Sequence, residues 1–274
     1  MIRAGLIAGY LAALLAVDTQ VDLRGQLVLG ALTWIALLLA ARTLPLERRF
    51  QVLVVICAAT VAELTGSIIW GVYSYRLHNL PTFVPPAHGL VFIAGLSLSQ
   101  ALRAHARALV LAAAAIAATW GVLGLTILPR TDAAGALGVP LLLAFLWRSR
   151  ARAAYAGVFL VVAGLELYGT AIGTWRWAEH LPGLGIPDGN PPSGVASGYV
   201  WFDVMALLLA ARLPTAWRGL VGLVDPYLEE LRQVLTADPL CRRHELRRRD
   251  HAVAALRRPR SQQAEEREVA DLLA

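Results

Sequence analysis

Three acidic side chains fall within long apolar stretches of the sequence, where charged residues are rare. They are Glu63, Glu166 and Asp203. An ionisable group inside a membrane-spanning helix costs roughly 2.5–3.5 kcal/mol on insertion scales, so its presence there indicates a functional role. A carboxyl group that faces an apolar site can exchange a proton with a substrate. We therefore predict that these three residues are catalytic, together with His88, which begins the next apolar stretch.

Two of these acids belong to similar segments about 100 residues apart. Each segment has Glu-x-x-Gly, then two aromatic residues two positions apart, then a proline-rich loop before the next apolar run. The separation is 103 residues for the acids and the first glycines, and 102 for the aromatic residues. The matching pairs are Glu63 and Glu166, Gly66 and Gly169, Tyr73 and Trp175, and Tyr75 and Trp177. The two copies, near residues 50–103 and 153–213, predict a parallel internal repeat.

Helical spacing predicts how the first segment faces its surroundings. Residues three, four or seven positions apart share one face of a helix, and this spacing relates Glu63, Gly66, Trp70 and Tyr73. If the two copies face each other, both glutamates lie in one inward cavity. We predict that this cavity binds the substrate through Trp70, Tyr73, Trp175 and Tyr199.

Simpler structural roles are also open for these residues. A buried glutamate can hydrogen-bond a neighbouring helix and lock the bundle. Small residues such as Gly169 and Gly173 can form a seam that lets two helices approach closely. Four aromatic residues near the helix ends are typical of the belt at a membrane interface, namely Tyr73, Tyr75, Trp175 and Trp177.

Apolar runs long enough to cross a bilayer dominate the chain. Of the 274 residues, 57% are hydrophobic, above the 45–50% usual for soluble domains. Only helices suit such runs, because an open sheet edge in lipid leaves backbone groups unpaired. We predict an all-α, multi-pass membrane protein with about eight spans. They cover residues 2–17, 25–41, 50–73, 84–102, 108–128, 133–147, 155–175 and 194–213.

The arginines predict how the chain is oriented. The second, fourth and sixth loops are rich in arginine, whereas the other loops carry about one each. The positive-inside rule then places both termini in the cytoplasm. Residues 1–213 form the predicted bundle and residues 214–274 a cytoplasmic, partly amphipathic tail that can hold anionic headgroups with its eight arginines between 242 and 260. High alanine and arginine content without lysine is typical of a GC-rich bacterial genome, so we predict a bacterial cell membrane.

Several kinds of chemistry lack their usual signals in this sequence. It has no Gly-rich phosphate loop, no His-x-x-x-His box and no cysteine cluster, so we predict neither a cofactor nor a bound metal. The net charge of +6 comes from arginine at the loops and tail, which indicates lipid headgroups as partners rather than nucleic acid.

The pattern Glu63-x-x-Gly66, then Trp70-Gly71-x-Tyr73-x-Tyr75, then a proline-led helix, resembles the membrane proteins of carotenoid biosynthesis. The similarity is to the carotenoid hydratases and, more loosely, to the lycopene-cyclase domain proteins. It implies a long apolar isoprenoid substrate and proton-initiated chemistry without metal or nucleotide. By position, Glu63 matches the family's acidic residue. The Pro-x-Glu-Glu run typical of the cyclases is absent.

Three functions follow as hypotheses. The first is an enzyme of isoprenoid or carotenoid-type lipids, a hydratase- or cyclase-like lyase or isomerase that uses intramembrane carboxyl groups. The second is a proton-coupled transporter or a lipid-binding membrane protein without catalysis. The third is a structural protein whose tail docks a cytoplasmic partner.

Overall fold

The computed structural model describes residues 1–195 together with Met205. This part of the chain is mostly helical, with seven α-helices and one small sheet. The predicted eighth span lies outside the described residues except at positions 194, 195 and 205, and the tail from residue 214 lies wholly outside them, as do Tyr199 and Asp203. The helices are α1 (Ile2–Asp18), α2 (Leu23–Ala41), α3 (Leu46–Glu63), α4 (Val84–Ala101), α5 (Ala106–Thr126), α6 (Ala133–Arg148) and α7 (Arg152–Ile172).

Four helical segments of the described chain are long and apolar enough to cross a membrane. They are Leu23–Ala41, Leu46–Trp70, Arg103–Thr126 and Arg152–Ile172, and α6 is a shorter apolar helix. Many large apolar side chains on these segments are exposed, for example Leu27, Leu53 and Leu111. Such an exposed apolar surface suits lipid rather than water, so these helices fit a membrane protein.

Helix α4 lies at the centre of the bundle. It packs against α1, α2, α3 and α7, and every residue from His88 to Gly95 is buried. Its closest approach is to α7, where a Cβ on Gly157 would lie 2.3 Å from the carbonyl oxygen of Gly95. The missing side chains let the two backbones touch, as small residues do between membrane helices.

Two of the predicted helices end earlier than the sequence suggested. After α3 the chain continues as a π-helical segment, Leu64–Trp70, and stops at Gly71, whose φ is 75°. Helix α7 stops at Gly173, whose φ is 79°. Glycine takes this left-handed conformation without steric cost, so it terminates helices readily. The prediction that residues 73 and 175 are helical is therefore wrong.

Each helix end leads into a short strand, β1 (Tyr73–Tyr75) or β2 (Trp175–Trp177). The strands pair antiparallel, with Tyr73 opposite Trp177 and Tyr75 opposite Trp175. Both helices close with a hydrogen bond to the carbonyl of the glycine three residues after the glutamate, although the bond spans six residues in the first segment and five in the second. The N–H of Val72 donates to the carbonyl of Gly66 (2.8 Å), and that of Thr174 donates to the carbonyl of Gly169 (2.9 Å). The two similar sequence segments thus meet directly, strand against strand, at one end of the bundle.

Candidate functional site

The glycine three residues after each glutamate makes room for an aromatic ring. A Cβ on Gly66 would lie 2.9 Å from the Tyr73 ring, and one on Gly169 would lie 2.1 Å from the Trp175 ring. The strand therefore folds back over the helix that precedes it, and its first aromatic side chain crosses the glycine to reach the glutamate. In place of the predicted helix–helix seam, Gly169 faces this indole and Gly173 ends the helix.

Glu63 is held by three side chains. The hydroxyls of Tyr73 and Tyr75 both donate to its Oε2 at 2.6 Å. Its Oε1 lies 3.3 Å from Nε2 of His88. Both tyrosines come from β1, where residues two apart point to the same face of the strand. The alternation Tyr-Ser-Tyr thus brings two phenols to a single carboxyl oxygen.

The His88 ring fixes where the proton of this pair can lie. Its Nδ1 is 2.9 Å from the carbonyl oxygen of Val84, one turn earlier on α4. A carbonyl only accepts, so Nδ1 carries a hydrogen in this contact. Nε2 then faces Glu63 Oε1 at 3.3 Å, and a proton between them gives either an imidazolium–carboxylate pair or a neutral imidazole that accepts from a carboxyl O–H. The geometry therefore allows Glu63 and His88 to share one proton.

Glu166 has a more open carboxyl group. Its Oε2 accepts from the indole N–H of Trp175 at 2.9 Å and from that of Trp177 at 3.4 Å. Among the described residues its Oε1 accepts no hydrogen bond. Glu166 is 7% exposed. One oxygen is thus positioned by two indoles while the other is left for a different partner.

Both glutamates and His88 line one cavity of about 230 Å³. Tyr73, Tyr75, Trp175 and Trp177 also line it, so the β1–β2 sheet supplies four aromatic side chains to its wall. The rest of the wall is apolar and comes mainly from α1, α4 and α7: Leu11, Leu14, Leu15, Phe83, Val84, Val91, Val162 and Leu165. Such a cavity suits an apolar molecule that presents one group to a proton donor.

The predicted site residues divide into three groups. Glu63, Glu166, His88, Tyr73 and Trp175 line the cavity together. Trp70 is 45% exposed and lies outside the lining, because its indole N–H donates instead to the carbonyl of Pro182 at 2.9 Å. Asp203 and Tyr199 lie outside the described residues.

Tyr75 and Trp177 were predicted to belong to an interfacial belt, yet they face the cavity. The signal for this position was present in the sequence. Two aromatic residues two positions apart, Tyr73 with Tyr75 and Trp175 with Trp177, put both rings on one face if the segment is a strand. Read as a helix end, the same spacing places them on different faces.

The loop after β2 is fixed by two polar residues between α5 and α6. Arg130 donates to the carbonyls of Trp177, Ala178 and Asp188. Asp132 caps α6 by accepting from the N–H of Gly135 at 3.0 Å. It also accepts from the N–H groups of Gly189 (3.1 Å) and Ser193 (2.6 Å). These contacts fix the loop to the segment between α5 and α6, and the bond to the Trp177 carbonyl ties the end of β2 to it.

Asp188 in this loop is buried, and its Oδ2 has no hydrogen-bond partner among the described residues. Burial, with the negative charge of Asp132 nearby, raises the pKa of the Asp188 carboxyl to about 7. The loop therefore contains a group that changes charge near neutral pH.

No protein-family model matches the chain, and no curated protein or solved structure matches it either. A function for this protein therefore has to come from the chemistry of the site itself.

Proposed function

We propose that this protein is a membrane enzyme that transfers protons to and from an isoprenoid-type lipid, without metal or nucleotide. The observation that carries the proposal is the cavity in which Glu63, His88 and Glu166 meet among apolar and aromatic walls. A merely structural carboxyl group would have its oxygens satisfied by the protein. Glu166 Oε1 accepts no hydrogen bond from the described residues, and the residue lines the cavity.

The two glutamates have different roles in this proposal. Glu166 in its neutral form donates the proton from Oε1 to one carbon of an alkene, and the alkene's electron pair forms the new C–H bond. The products of this step are a carbocation and the Glu166 carboxylate. The electron-rich faces of Trp175 and Tyr73 stabilise the cation. The Glu63–His88 pair then takes a proton from the neighbouring carbon, or from a water that adds to the cation, and the return of this proton to the Glu166 carboxylate restores the starting state.

The pair formed by Glu63 and His88 serves as the base in this scheme. It shares one proton between Oε1 and Nε2, which lie 3.3 Å apart, and as a base it takes up a second proton, which leaves an imidazolium beside a neutral carboxyl group. Tyr73 and Tyr75 fix the other carboxyl oxygen and keep the pair oriented. A base with a positioned partner is the usual arrangement for general acid–base catalysis.

The cavity volume limits what can enter. An apolar cavity of about 150 Å³ holds benzene. The volume of about 230 Å³ here thus admits one ring or the end of a branched chain, and not a whole long polyene. We infer that the reacting end of the lipid enters the cavity while the rest of its chain lies outside. This fits the resemblance of the Glu63–Tyr75 segment to proteins of carotenoid biosynthesis.

The membrane arrangement in this proposal has about eight spans, both termini in the cytoplasm and a parallel repeat. The spans carrying Glu63 and Glu166 then run in the same direction, and β1 and β2 lie at the outer face. Two features support the repeat. Both helices end at a left-handed glycine, Gly71 or Gly173, and both have a glycine that accommodates the returning aromatic ring.

Lipid mass spectrometry of cells tests the proposal. Cells lacking the gene are compared with cells carrying the wild type, Glu166→Gln, Glu63→Gln or the matched control Glu47→Gln. Glu47 is exposed in the first turn of α3, far along the helix from Glu63. We expect one isoprenoid species to accumulate in the deletion and in both site variants, but not in the control.

Protein level is measured in the same membranes. Glutamine has the shape of glutamate, and its amide oxygen can still accept from the two indoles. Glu166→Gln should therefore be present at the wild-type level. Glu63→Gln replaces an acceptor oxygen by an amide and should lower the level somewhat. An unchanged lipid profile in the deletion strain, or full complementation by Glu166→Gln, would contradict the proposal.

A second function, proton-coupled transport or lipid binding without turnover, is favoured by one specific observation. The two carboxyl groups come from the two similar segments and face one cavity, as at the repeat interface of many transporters. In this case purified protein in vesicles should move protons when a lipid substrate is supplied, and no new lipid should form.

A further inference from the structure

A second concave surface lies between α5 and α6, at the end of the bundle away from the β1–β2 sheet. It has a volume of about 650 Å³ and is lined by Arg107 and Val110 of α5, Leu143, Leu146 and Trp147 of α6, and Arg152 at the start of α7. We call it the α5–α6 groove. It combines two cations at one end with an apolar floor, and none of its residues lines the cavity between Glu63 and Glu166.

The two arginines of the groove are exposed, and neither side chain has a hydrogen bond or ion pair with another described residue. Three more arginines lie on the same side of the bundle, at positions 103, 148 and 150. Helices α5, α6 and α7 carry a single acidic residue between them, Glu166, and it lies near the opposite end. The positive charge at the groove is thus not neutralised by these helices.

The floor of the groove continues along the membrane-facing part of the helices. From Arg107 to Ala114 it follows α5 for seven residues, which is about 10 Å at 1.5 Å per residue. Trp147 is 84% exposed at its edge. A free phosphate would use only the arginines and make no contact with this apolar surface. An anionic amphiphile uses both parts.

We propose that the α5–α6 groove binds an anionic phospholipid, with the phosphate between Arg107 and Arg152 and the upper part of one acyl chain along Val110 and Leu143. Basic pockets between membrane helices bind such headgroups on the cytoplasmic side. Guanidinium groups suit a phosphate because their N–H donors form two parallel hydrogen bonds with it. The inference is independent of the activity proposed for the cavity.

Native mass spectrometry of the full-length protein tests this proposal. The protein is purified in mild detergent with phosphatidylglycerol or phosphatidylcholine added, and the bound lipids are counted. We expect Arg107→Gln/Arg152→Gln to weaken phosphatidylglycerol binding about thirtyfold, from the usual strength of two charges near an anionic surface. The matched control is Arg42→Gln/Arg103→Gln, which removes the same charge from the same side of the bundle outside the groove.

Three outcomes would overturn the proposal. The first is equal loss of phosphatidylglycerol in both double variants, which would indicate a general charge effect. The second is equal retention of phosphatidylcholine and phosphatidylglycerol by the wild type. The third is a photo-crosslinker at position 147 that captures a peptide from residues 214–274 instead of lipid, which would make the chain's own tail the occupant. The thermal stability of both variants is measured, and unchanged stability shows that the bundle remains folded.

Discussion

The two phenol hydrogen bonds to Glu63 predict a specific pattern of stability losses. Tyr73→Phe and Tyr75→Phe each remove one hydroxyl and leave the ring in place. Each hydroxyl donates to the same oxygen, Glu63 Oε2, at 2.6 Å. Distances this short are typical of O–H donors to a carboxylate. The site is buried, so water cannot replace a lost donor at full strength.

The magnitudes follow from the geometry. A hydrogen bond to a charged group contributes roughly 1.5–3 kcal/mol to stability, and we expect each single variant to lose about that much or slightly less. The donors share one acceptor, so after either is removed the other still satisfies the oxygen. The double variant leaves Oε2 without either donor. Its loss should therefore exceed the sum of the single losses by roughly 0.5–3 kcal/mol, the usual range for coupled neighbours.

Equilibrium unfolding in mixed detergent micelles measures these losses. The matched control is Tyr168→Phe, because Tyr168 packs against the core from α7 and its hydroxyl makes no hydrogen bond with the described residues. We expect a change within about 0.5 kcal/mol for this control. Losses in Tyr73→Phe and Tyr75→Phe no larger than in the control, or strictly additive losses, would refute the shared-oxygen arrangement.

Two other predictions concern packing and pH. Gly169→Ala places a Cβ 2.1 Å from the Trp175 ring and should destabilise the protein by roughly 1–3 kcal/mol, whereas Gly164→Ala on the same helix, with nothing within 4 Å, should stabilise it by up to about 1 kcal/mol. An equal effect of both in the unfolding assay would contradict the ring-over-glycine packing. The Asp188 carboxyl has its pKa raised to about 7, so the folded chain binds this proton more tightly than the unfolded chain. Its stabilising contribution is complete below about pH 4 and is lost as the pH rises through about 7. Asp188→Asn should flatten the fall in melting temperature between pH 4 and pH 7, and an equally steep fall in the variant would contradict this account.

The sequence predicted the helical class and much of the cavity, for identifiable reasons. An acid in an apolar run is rare enough to stand out, which is how Glu63 and Glu166 were found. The repeated Glu-x-x-Gly then placed them in equivalent positions. His88 followed from its place at the start of the next apolar run. Each of these signals can be read within one short segment of the sequence.

The strands were missed because their evidence is not local. Apolar and aromatic residues continue past Gly71 and Gly173, so a helical reading extends naturally to Tyr73 and Trp175. Only the pairing of β1 with β2, about 100 residues apart, makes these segments strands. Trp70 was predicted to face inward from α-helical spacing, but it ends the π-helical segment Leu64–Trp70, where that spacing does not hold, and its indole binds the carbonyl of Pro182 outside the cavity.

The most direct test of the central claim is proton transfer from the protein to carbon. Membranes containing the wild type or Glu166→Gln are incubated in D₂O with a panel of acyclic and cyclic C40 polyenes and polyprenyl lipids, and the products are analysed by mass spectrometry. The account predicts a wild-type product that carries one carbon-bound deuterium, and no such product with Glu166→Gln at equal protein level. Unlabelled product from the wild type, or undiminished labelling with Glu166→Gln, would contradict the role assigned to this carboxyl group.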